Sequence, residues 1–324
     1  MRKVSFAIES WPLKVPFSIT GYTFTEAKIL YVKLTEGGYT GQGEATGVYY
    51  LDESAESMLA QANSIKKELE QGADRDALQT LLPAGGARNA IDCALWDLEA
   101  KQTGKSIWQL TGITSKGIIS VNTVGIDTPQ AMATNAKALN TSKIKVKLNG
   151  EQVLERIEAV CAARPDADIV VDVNQGWIFE QLKTFAPQFK ALGIAMIEQP
   201  LPRGEDQALE HYQSPIPLCA DESCLDSSEL EQAAQRYQMI NIKLDKTGGL
   251  TEALKLARQS KAKGLELMVG NMLGTSLAMA PGFVIAQHCK FVDLDGPLFL
   301  QNDRQPAMDY TYGLISVPSP KLWG

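Results

Sequence analysis

Three acidic residues occupy equivalent positions in three successive apolar segments. Asp172 lies in VVDVNQGW, Glu198 in AMIEQP and Asp221 in LCADES. If these segments are neighbouring parallel strands, the carboxylates meet at one edge and repel one another. A hard divalent cation that prefers oxygen ligands, such as Mg²⁺, relieves that repulsion. A single acidic residue at a strand end more often caps the next helix, but three in succession favour a metal site.

Two other segments place lysines where protons could be moved. Lys143, Lys145 and Lys147 of KIKVKLNG share one face because strand side chains alternate, and Lys147 lies nearest the end of the segment. Lys243 stands between apolar neighbours in MINIKLDKTGGL. Packing among other lysines is expected to lower a lysine pKa toward that of a useful base. Two lysines on opposite sides of a substrate suit epimerisation, since one takes a proton and the other returns one.

A last acidic pair follows an apolar segment near the end of the chain. Asp293 and Asp295 lie in FVDLDGP and share one face of a strand. Two carboxylates without metal-ligand spacing attract a cation, so we expect a zwitterionic substrate with its ammonium on this pair and its carboxylate on the metal. The competing interpretation is a helix cap or a surface turn.

The elements that must position these residues change character near residue 115. The segments VSFAIESWPL, AKILYVKLT and GQGEATG have strand character, and helical spacing of apolar residues follows. This order predicts an α+β domain over 1–115. Downstream, apolar strands recur every 22 to 27 residues, and eight of them are predicted to begin near Val121, Lys143, Asp168, Ala195, Pro217, Met239, Glu266 and Phe291.

Eight evenly spaced strand–helix units predict an α/β fold with a (β/α)8-type barrel over 116–309, and the tail 310–324 is expected to pack near the first domain. An open doubly wound sheet is less favoured because no GxGxxG turn is present. In a barrel, strands 2 and 6 face each other, so Lys147 and Lys243 would approach a substrate from opposite faces. The active site would lie at the carboxyl ends of the strands.

Composition narrows the partners and the location. The 324 residues are 44% hydrophobic and carry a net charge of −7 without a basic tract, so a nucleic-acid partner is not expected. No apolar stretch reaches the ~20 residues of a membrane span, and five cysteines without CxxC spacing suggest reduced thiols in the cytoplasm. The sequence leaves open whether the chain forms a homo-oligomer.

The motifs ARNAIDCALWDLEAK, CADESC, NIKLDKTGGLTEAL and DLDGP resemble the enolase superfamily, in the muconate-lactonising-enzyme subgroup, and within it bacterial dipeptide epimerases of the L-Ala-D/L-Glu type. The resemblance covers nearly the whole chain and implies an isomerase, a racemase-like dipeptide epimerase that requires Mg²⁺. The implied metal ligands are Asp172, Glu198 and Asp221, the acid/base pair is Lys147 and Lys243 with Lys145 assisting, and the ammonium site is Asp293 and Asp295. Asn174 and Glu222 are expected to support the ligands.

The resemblance also makes the first domain a capping domain, whose loops near residues 16–26 and 47–54 close over the substrate. One of these loops departs from the family pattern. Epimerases specific for Glu carry an arginine there, whereas Phe24 occupies the aligned position, close to Tyr22. A substrate carboxylate without a cationic partner is costly to bury, so an uncharged side chain is plausible. The alternative is that Phe24 and Tyr22 only pack the domain interface.

Other functions compete with this interpretation. An o-succinylbenzoate synthase or cycloisomerase could use the same lysines and metal, but Asp293 and Asp295 would repel a purely anionic substrate. A sugar-acid dehydratase would need a histidine at a strand end, which neither His211 nor His288 provides. From another class, a non-catalytic barrel binding protein is disfavoured because inward charges cost stability without a function.

Overall fold

The computed structural model describes residues 1–19 and 21–324, so Thr20 of the first capping loop lies outside the described residues. The chain begins with an antiparallel sheet of β1 (Lys3–Ile19), β2 (Tyr22–Glu36) and β3 (Tyr39–Thr46). The first two strands run beyond their predicted ends, and Ile19 pairs with Tyr22. The first capping loop is therefore the tip of a β-hairpin, as its threonines and aromatic residues favour.

Five helices follow this sheet, and they are α1 (Ala55–Ser64), α2 (Lys66–Glu70), α3 (Arg75–Leu81), α4 (Gly86–Thr103) and α5 (Ile107–Thr111). A short 3-10 helix, Tyr49–Leu51, lies in the second capping loop. The long helix α4 is buried along almost its whole length, because the three-stranded sheet covers one side and two later helices, Leu244–Thr247 and Leu250–Ala262, contact the other.

Glycines allow β3 to approach α4 closely. A Cβ atom added to Gly43 would lie 2.3 Å from the carbonyl oxygen of Ala90, and one added to Gly41 would lie 2.2 Å from that of Ala94. We expect Gly43→Ala to lower the free energy of unfolding by roughly 1–3 kcal/mol, because backbone atoms cannot yield as a side chain can. Urea denaturation measures this, with Gly125→Ala as the control, since its added methyl meets atoms no nearer than 3.7 Å. Equal stabilities would contradict the prediction.

Eight parallel strands form the second sheet, and they are β5 (Asn122–Val124), β6 (Lys143–Lys147), β7 (Asp168–Asp172), β8 (Ile197–Glu198), β9 (Leu218–Ala220), β10 (Met239–Lys243), β11 (Glu266–Gly270) and β12 (Phe291–Val292). At the two ends of this sheet, Val121 N donates to Val292 O at 2.7 Å, which closes it. The predicted barrel-type fold is confirmed, and each strand begins within two residues of its predicted position.

The helices around these strands are α6 (Pro129–Ala138), α7 (Val153–Ala163), α8 (Phe179–Ala191), α9 (Leu230–Arg236), α10 (Leu244–Thr247), α11 (Leu250–Ala262), α12 (Ser276–Ala286) and α13 (Gly296–Phe299). The alternation is irregular between β8 and β9, where a 3-10 helix, Gln207–His211, replaces an α-helix. Within residues 1–19 and 21–324, no helix combines the length and apolar character needed to cross a membrane.

The end of the chain returns to the first sheet. Strand β13 (Leu314–Ile315) pairs with β4 (Ile118–Ile119), after a 3-10 helix at Thr311–Gly313. Gln42 Nε2 then donates to Leu322 O at 2.8 Å, and Trp323 Nε1 donates to Cys93 O at 2.9 Å. The last residues thus contact both β3 and α4.

Candidate active site

The three carboxylates of the predicted metal site lie side by side at the carboxyl ends of β7, β8 and β9. Asp172 ends β7 and pairs in register with Glu198, which ends β8. Asp221 follows β9 directly. All three residues are completely buried. Parallel register therefore brings together residues that are 49 positions apart along the chain.

Lys145 is surrounded by carboxylates. Its Nζ lies 2.9 Å from Asp172 Oδ2, 2.8 Å from Glu198 Oε2 and 2.8 Å from Asp293 Oδ2. The residue is only 1% exposed. Lys145 thus links the ends of β7, β8 and β12 electrostatically, and its side chain is almost inaccessible.

Lys147 and Lys243 each contact a different predicted metal ligand. Lys147 Nζ donates to Asp172 Oδ2 at 2.6 Å, and Lys243 Nζ donates to Asp221 Oδ2 at 2.6 Å. Their strands, β6 and β10, are four positions apart in the eight-stranded sheet. The two ammonium groups therefore stand on opposite sides of the carboxylates.

The carboxylates determine the charge of these lysines. Burial alone would lower the pKa of Lys145, but the neighbouring carboxylates, Asp172 foremost, raise it well above its ordinary value. Burial and Asp221 oppose each other in the same way at Lys243, and the pKa is again raised. The expectation of a lowered lysine pKa is wrong for Lys145, because its neighbours are carboxylates and not other lysines.

Negative charge exceeds positive charge at the mouth of the barrel. Six carboxylates and four ammonium groups are buried there, with a formal charge of −2, and they belong to Asp172, Glu198, Asp221, Glu222, Asp293, Asp295, Lys145, Lys147, Lys243 and Lys246. Burial, followed by repulsion from Asp172, raises the pKa of Glu198 to about 7. Burial, followed by repulsion from Asp221, raises that of Glu222 to about 8. The raised pKa values follow because the four ammonium groups do not fully offset the burial and mutual repulsion of the six carboxylates.

The residues fit a hard divalent cation in charge and in ligand type. Glu222 Oε2 and Asp293 Oδ1 are buried without a hydrogen-bond partner, and oxygen atoms are the ligands that Mg²⁺ prefers. Among residues 1–19 and 21–324, however, no three Asp, Glu, His or Cys side chains are gathered closely enough to hold a metal ion. Lysine ammonium groups occupy the space between the carboxylates instead.

The acidic pair after β12 faces the same space. Asp295 Oδ2 accepts a hydrogen bond from Thr123 N at 2.9 Å, and Asp293 Oδ2 contacts Lys145. Burial, and then repulsion from Asp293, raises the pKa of Asp295 to about 8. A positive group placed beside this pair would offset both effects, so the pair can hold a substrate ammonium.

Asn174 contacts three of the buried charged residues at the barrel mouth. Asn174 Oδ1 accepts from Lys147 Nζ at 3.0 Å, and Asn174 N donates to Asp172 Oδ1 at 2.9 Å. Asn174 Nδ2 also lies 3.4 Å from Glu222 Oε1. Asn174 thus joins Lys147 and Glu222 through its side-chain amide and Asp172 through its backbone N–H.

Two residues that contact the predicted metal ligands were not predicted from the sequence. Lys246 Nζ donates to Asp221 Oδ1 at 2.7 Å, and its side chain is fully buried. Asn241 Nδ2 donates to Glu198 Oε1 at 2.7 Å. Strand alternation before Lys243 could have indicated Asn241. Nothing local in the turn after β10 indicates that Lys246 points inward.

A cavity of about 500 Å³ lies between the barrel mouth and both capping loops. Lys147, Lys243, Asp293 and Asp295 line its floor, and Phe24 lines its wall. The ring of Phe24 packs against the ring of Tyr49, and the two ring centroids are 5.5 Å apart. Tyr22 packs edge-on against Tyr49, with ring centroids 4.4 Å apart, and is 44% exposed, so it supports the wall without lining the cavity.

Charged residues at the rim of the cavity are mostly acidic. Glu26, Glu53 and Glu56 line it together with Lys28, whose Nζ is 3.9 Å from Glu26 Oε1. Lys14 of β1 does not line the cavity, and its Nζ donates to Leu298 O at 2.9 Å. The rim therefore carries more negative than positive charge.

Family models and known proteins match nearly the whole chain. Residues 1–112 match the model of the mandelate racemase/muconate lactonizing enzyme N-terminal domain, and residues 129–319 match the enolase C-terminal domain-like model. An L-Ala-D/L-Glu epimerase of Escherichia coli strain K12 is 45% identical over 317 residues, which cover 97% of this chain and 99% of that protein.

Two solved structures are similar in fold and sequence. A protein of Agrobacterium tumefaciens, described as an enolase family member with homology to dipeptide epimerases and bound to sodium and L-Ala-L-Glu, is 38% identical with a TM-score of 0.98 and full coverage of both chains. A dipeptide epimerase of Cytophaga hutchinsonii, complexed with Mg and D-Ala-L-Val, is 27% identical with a TM-score of 0.92 and covers 98% of this chain and 93% of that one.

Proposed function

The chain belongs to the mandelate racemase/muconate lactonizing enzyme family, and on this premise we propose that it is a Mg²⁺-dependent dipeptide epimerase. It inverts the α-carbon of the C-terminal residue of a dipeptide. One observation carries the proposal: Lys147 and Lys243, from strands on opposite sides of the barrel, line the same cavity as Asp293 and Asp295.

Each lysine has a separate part in the proton transfer. Lys147 takes the α-proton from one face of the substrate and Lys243 returns one to the other face, and the roles reverse for the opposite epimer. Lys147 is assigned as the base of β6 because it lines the cavity. Lys145, enclosed by three carboxylates, stays charged and stabilises negative charge beside the reacting centre.

The substrate is held at its two ends. Asp293 and Asp295 bind the ammonium of the first residue, which places the carboxylate of the second residue toward Asp172, Glu198 and Asp221. These three residues would hold Mg²⁺, which supplies positive charge to the substrate carboxylate as the α-proton leaves. The lysines then reach the α-carbon from either side.

The activity can be tested by incubating the protein with Mg²⁺ and single L-Ala-L-X or L-Ala-D-X dipeptides in D₂O. We expect both epimers to gain deuterium at the second α-carbon and to interconvert. Exchange at neither epimer across a dipeptide library would refute the proposal. An o-succinylbenzoate synthase or cycloisomerase is not favoured, because a carboxylate pair at the cavity floor repels an anionic substrate.

We further propose that the second residue carries an uncharged side chain. Phe24 and Tyr49 give the cavity wall an aromatic surface, and three rim glutamates outnumber Lys28. Among the described residues of the rim, Lys28 is the cation that a Glu side chain could meet, and its Nζ already lies 3.9 Å from Glu26 Oε1. An uncharged side chain loses less on desolvation.

The specificity predicts a measurable ratio. A missing charge-assisted hydrogen bond is worth roughly 1.5–3 kcal/mol, so kcat/KM for a fitting neutral dipeptide should exceed that for Ala-Glu by about 10-fold to 150-fold. Phe24→Arg should narrow or reverse this ratio. Ala-Glu, Ala-Ala, Ala-Val and Ala-Phe are compared on both proteins, with Tyr39→Arg as the control because Tyr39 is an exposed residue away from the cavity. A wild-type preference for Ala-Glu would refute the prediction.

The five cysteines are free, which suits a reducing compartment, and we place the enzyme in the cytoplasm. Its partner is a small dipeptide. Size-exclusion chromatography with light scattering decides between a monomer and a homo-oligomer.

A further inference from the structure

We propose that helix α4 positions Lys243 and Lys246 by hydrogen bonding to the turn at residues 244–251. Arg88, Asn89 and Asp92 of α4 are then positioning residues of the active site. This inference rests on the proposed function. The inference assigns a role to the polar residues of the ARNAIDCALWDLEAK motif. These residues do not line the substrate cavity.

Arg88 binds the end of the short helix that carries Lys246. Its Nη2 donates to Thr247 O at 2.7 Å and its Nε donates to Gly248 O at 3.1 Å. These are carbonyl groups that α10 leaves without partners at its C-terminus. Because α10 has only four residues, fixing its end also fixes Lys246 and the residue that precedes the helix, Lys243.

Asn89 and Asp92 bind the two sides of the same turn. Asn89 Nδ2 donates to Asp245 Oδ1 at 3.1 Å, two residues after Lys243. Asp92 accepts from Thr251 N at 2.9 Å and from Thr251 Oγ1 at 2.6 Å. All three residues of α4 that make these contacts are buried, so water does not compete for them.

The two glycines of the turn, Gly248 and Gly249, leave room for these side chains. A Cβ atom at Gly248 would lie 2.4 Å from Arg88 Nε, and one at Gly249 would lie 2.5 Å from Asp92 Cβ. Both glycines also have positive φ angles, of 78° and 112°. Because Gly248 and Gly249 have no side chain, Arg88 and Asp92 of α4 can lie close to the backbone of the turn.

The lysine pair itself supplies the internal control. Lys147 is held by Asp172 at the end of β7 and by Asn174 two residues later, and neither residue belongs to the turn after β10. Loosening the turn should therefore displace Lys243 but leave Lys147 in place. A general loss of stability would affect proton transfer on both faces alike.

The test measures deuterium incorporation separately for each epimer, in Arg88→Met and in Asp92→Asn. Each variant should exchange the epimer that depends on Lys243 about 10-fold to 100-fold more slowly, as a displacement near 1 Å allows, and the other epimer within about two-fold of wild type. Asp97→Asn is the matched control. Asp97 is a buried carboxylate of the same helix that accepts from Gln42 N and Gly324 N, not from the turn.

Arg88→Lys guards against a variant that fails to fold, because it retains the charge and can still bind one carbonyl. It should show the same one-sided loss to a smaller degree. Equal slowing of both epimers, no slowing in any variant, or one-sided slowing in Asp97→Asn as well would overturn the inference.

A second measurement does not depend on turnover. Hydrogen–deuterium exchange of backbone amides in 239–251 should quicken in Arg88→Lys and Asp92→Asn but not in Asp97→Asn. If the wild type exchanges neither dipeptide epimer, the proposed function fails, and the amide exchange still decides whether α4 holds this segment. Unchanged amide exchange in these variants would show that the contacts from α4 do not hold this segment.

Discussion

Lys147→Ala and Lys243→Ala are each expected to abolish epimerisation while retaining deuterium exchange at one substrate epimer. Each variant keeps one lysine, which can remove and return a proton on its own face but cannot deliver one to the other face. Interconversion should fall by at least about 10³-fold, within the range that a positioned acid or base contributes. The two variants should retain exchange at opposite epimers, as proton NMR in D₂O would measure.

Lysines on the same face of β6 provide the controls for this experiment. Lys143→Ala should leave exchange at both epimers near wild type, since Lys143 Nζ lies over the ring of Phe291, 5.6 Å from its centroid, at the far end of the strand. Lys145→Ala should slow both epimers together, because Lys145 contributes charge and no proton. If Lys145→Ala instead shows the one-sided loss, Lys145 is the base and the assignment of Lys147 is wrong.

Chelation by excess EDTA is expected to reduce turnover below detection, and added Mg²⁺ should restore it. Without a cation, the mouth of the barrel carries two more carboxylates than ammonium groups, and a substrate carboxylate would add to that repulsion. Full activity after chelation and dialysis would contradict the metal assignment.

Glu198→Gln tests one of the proposed ligands directly. The variant keeps the shape of the side chain and removes one charge, so Mg²⁺ binding measured by calorimetry should weaken by about 10-fold to 150-fold, as for other charged contacts. Asp206→Asn is the control, because Asp206 is a buried acid paired with Arg236 at 2.7 Å outside the site. Equal Mg²⁺ affinity in wild type and Glu198→Gln would exclude ligation by Glu198.

The agreement between sequence and structure is greatest for the barrel strands. An apolar segment followed by a polar residue marks the end of a strand, and the repeated spacing of such segments implies parallel strands with their ends at one mouth. Strand alternation alone then places Lys143, Lys145 and Lys147 along one face. The meeting of Asp172, Glu198 and Asp221 follows from this regular geometry.

Irregular elements were harder to predict. The hairpin of β1 and β2 extends to Ile19 and Tyr22, where a loop was expected, because pairing between two strands depends on both of them at once. The position of Lys28 on the cavity rim likewise depends on how the hairpin lies over the barrel.

The sequence by itself determined where the barrel strands lie and which side chains share a face, since short-range periodicity decides both. Tertiary structure alone decided which charges meet at the barrel mouth. Lys145 lies among carboxylates from three strands, which reverses the expected direction of its pKa shift, and Lys246 turns inward to Asp221. Arg88 meets Thr247 and Gly248 across about 160 residues of chain. Such contacts depend on the packing of α4 against the barrel, and local sequence carries no signal of a partner that distant.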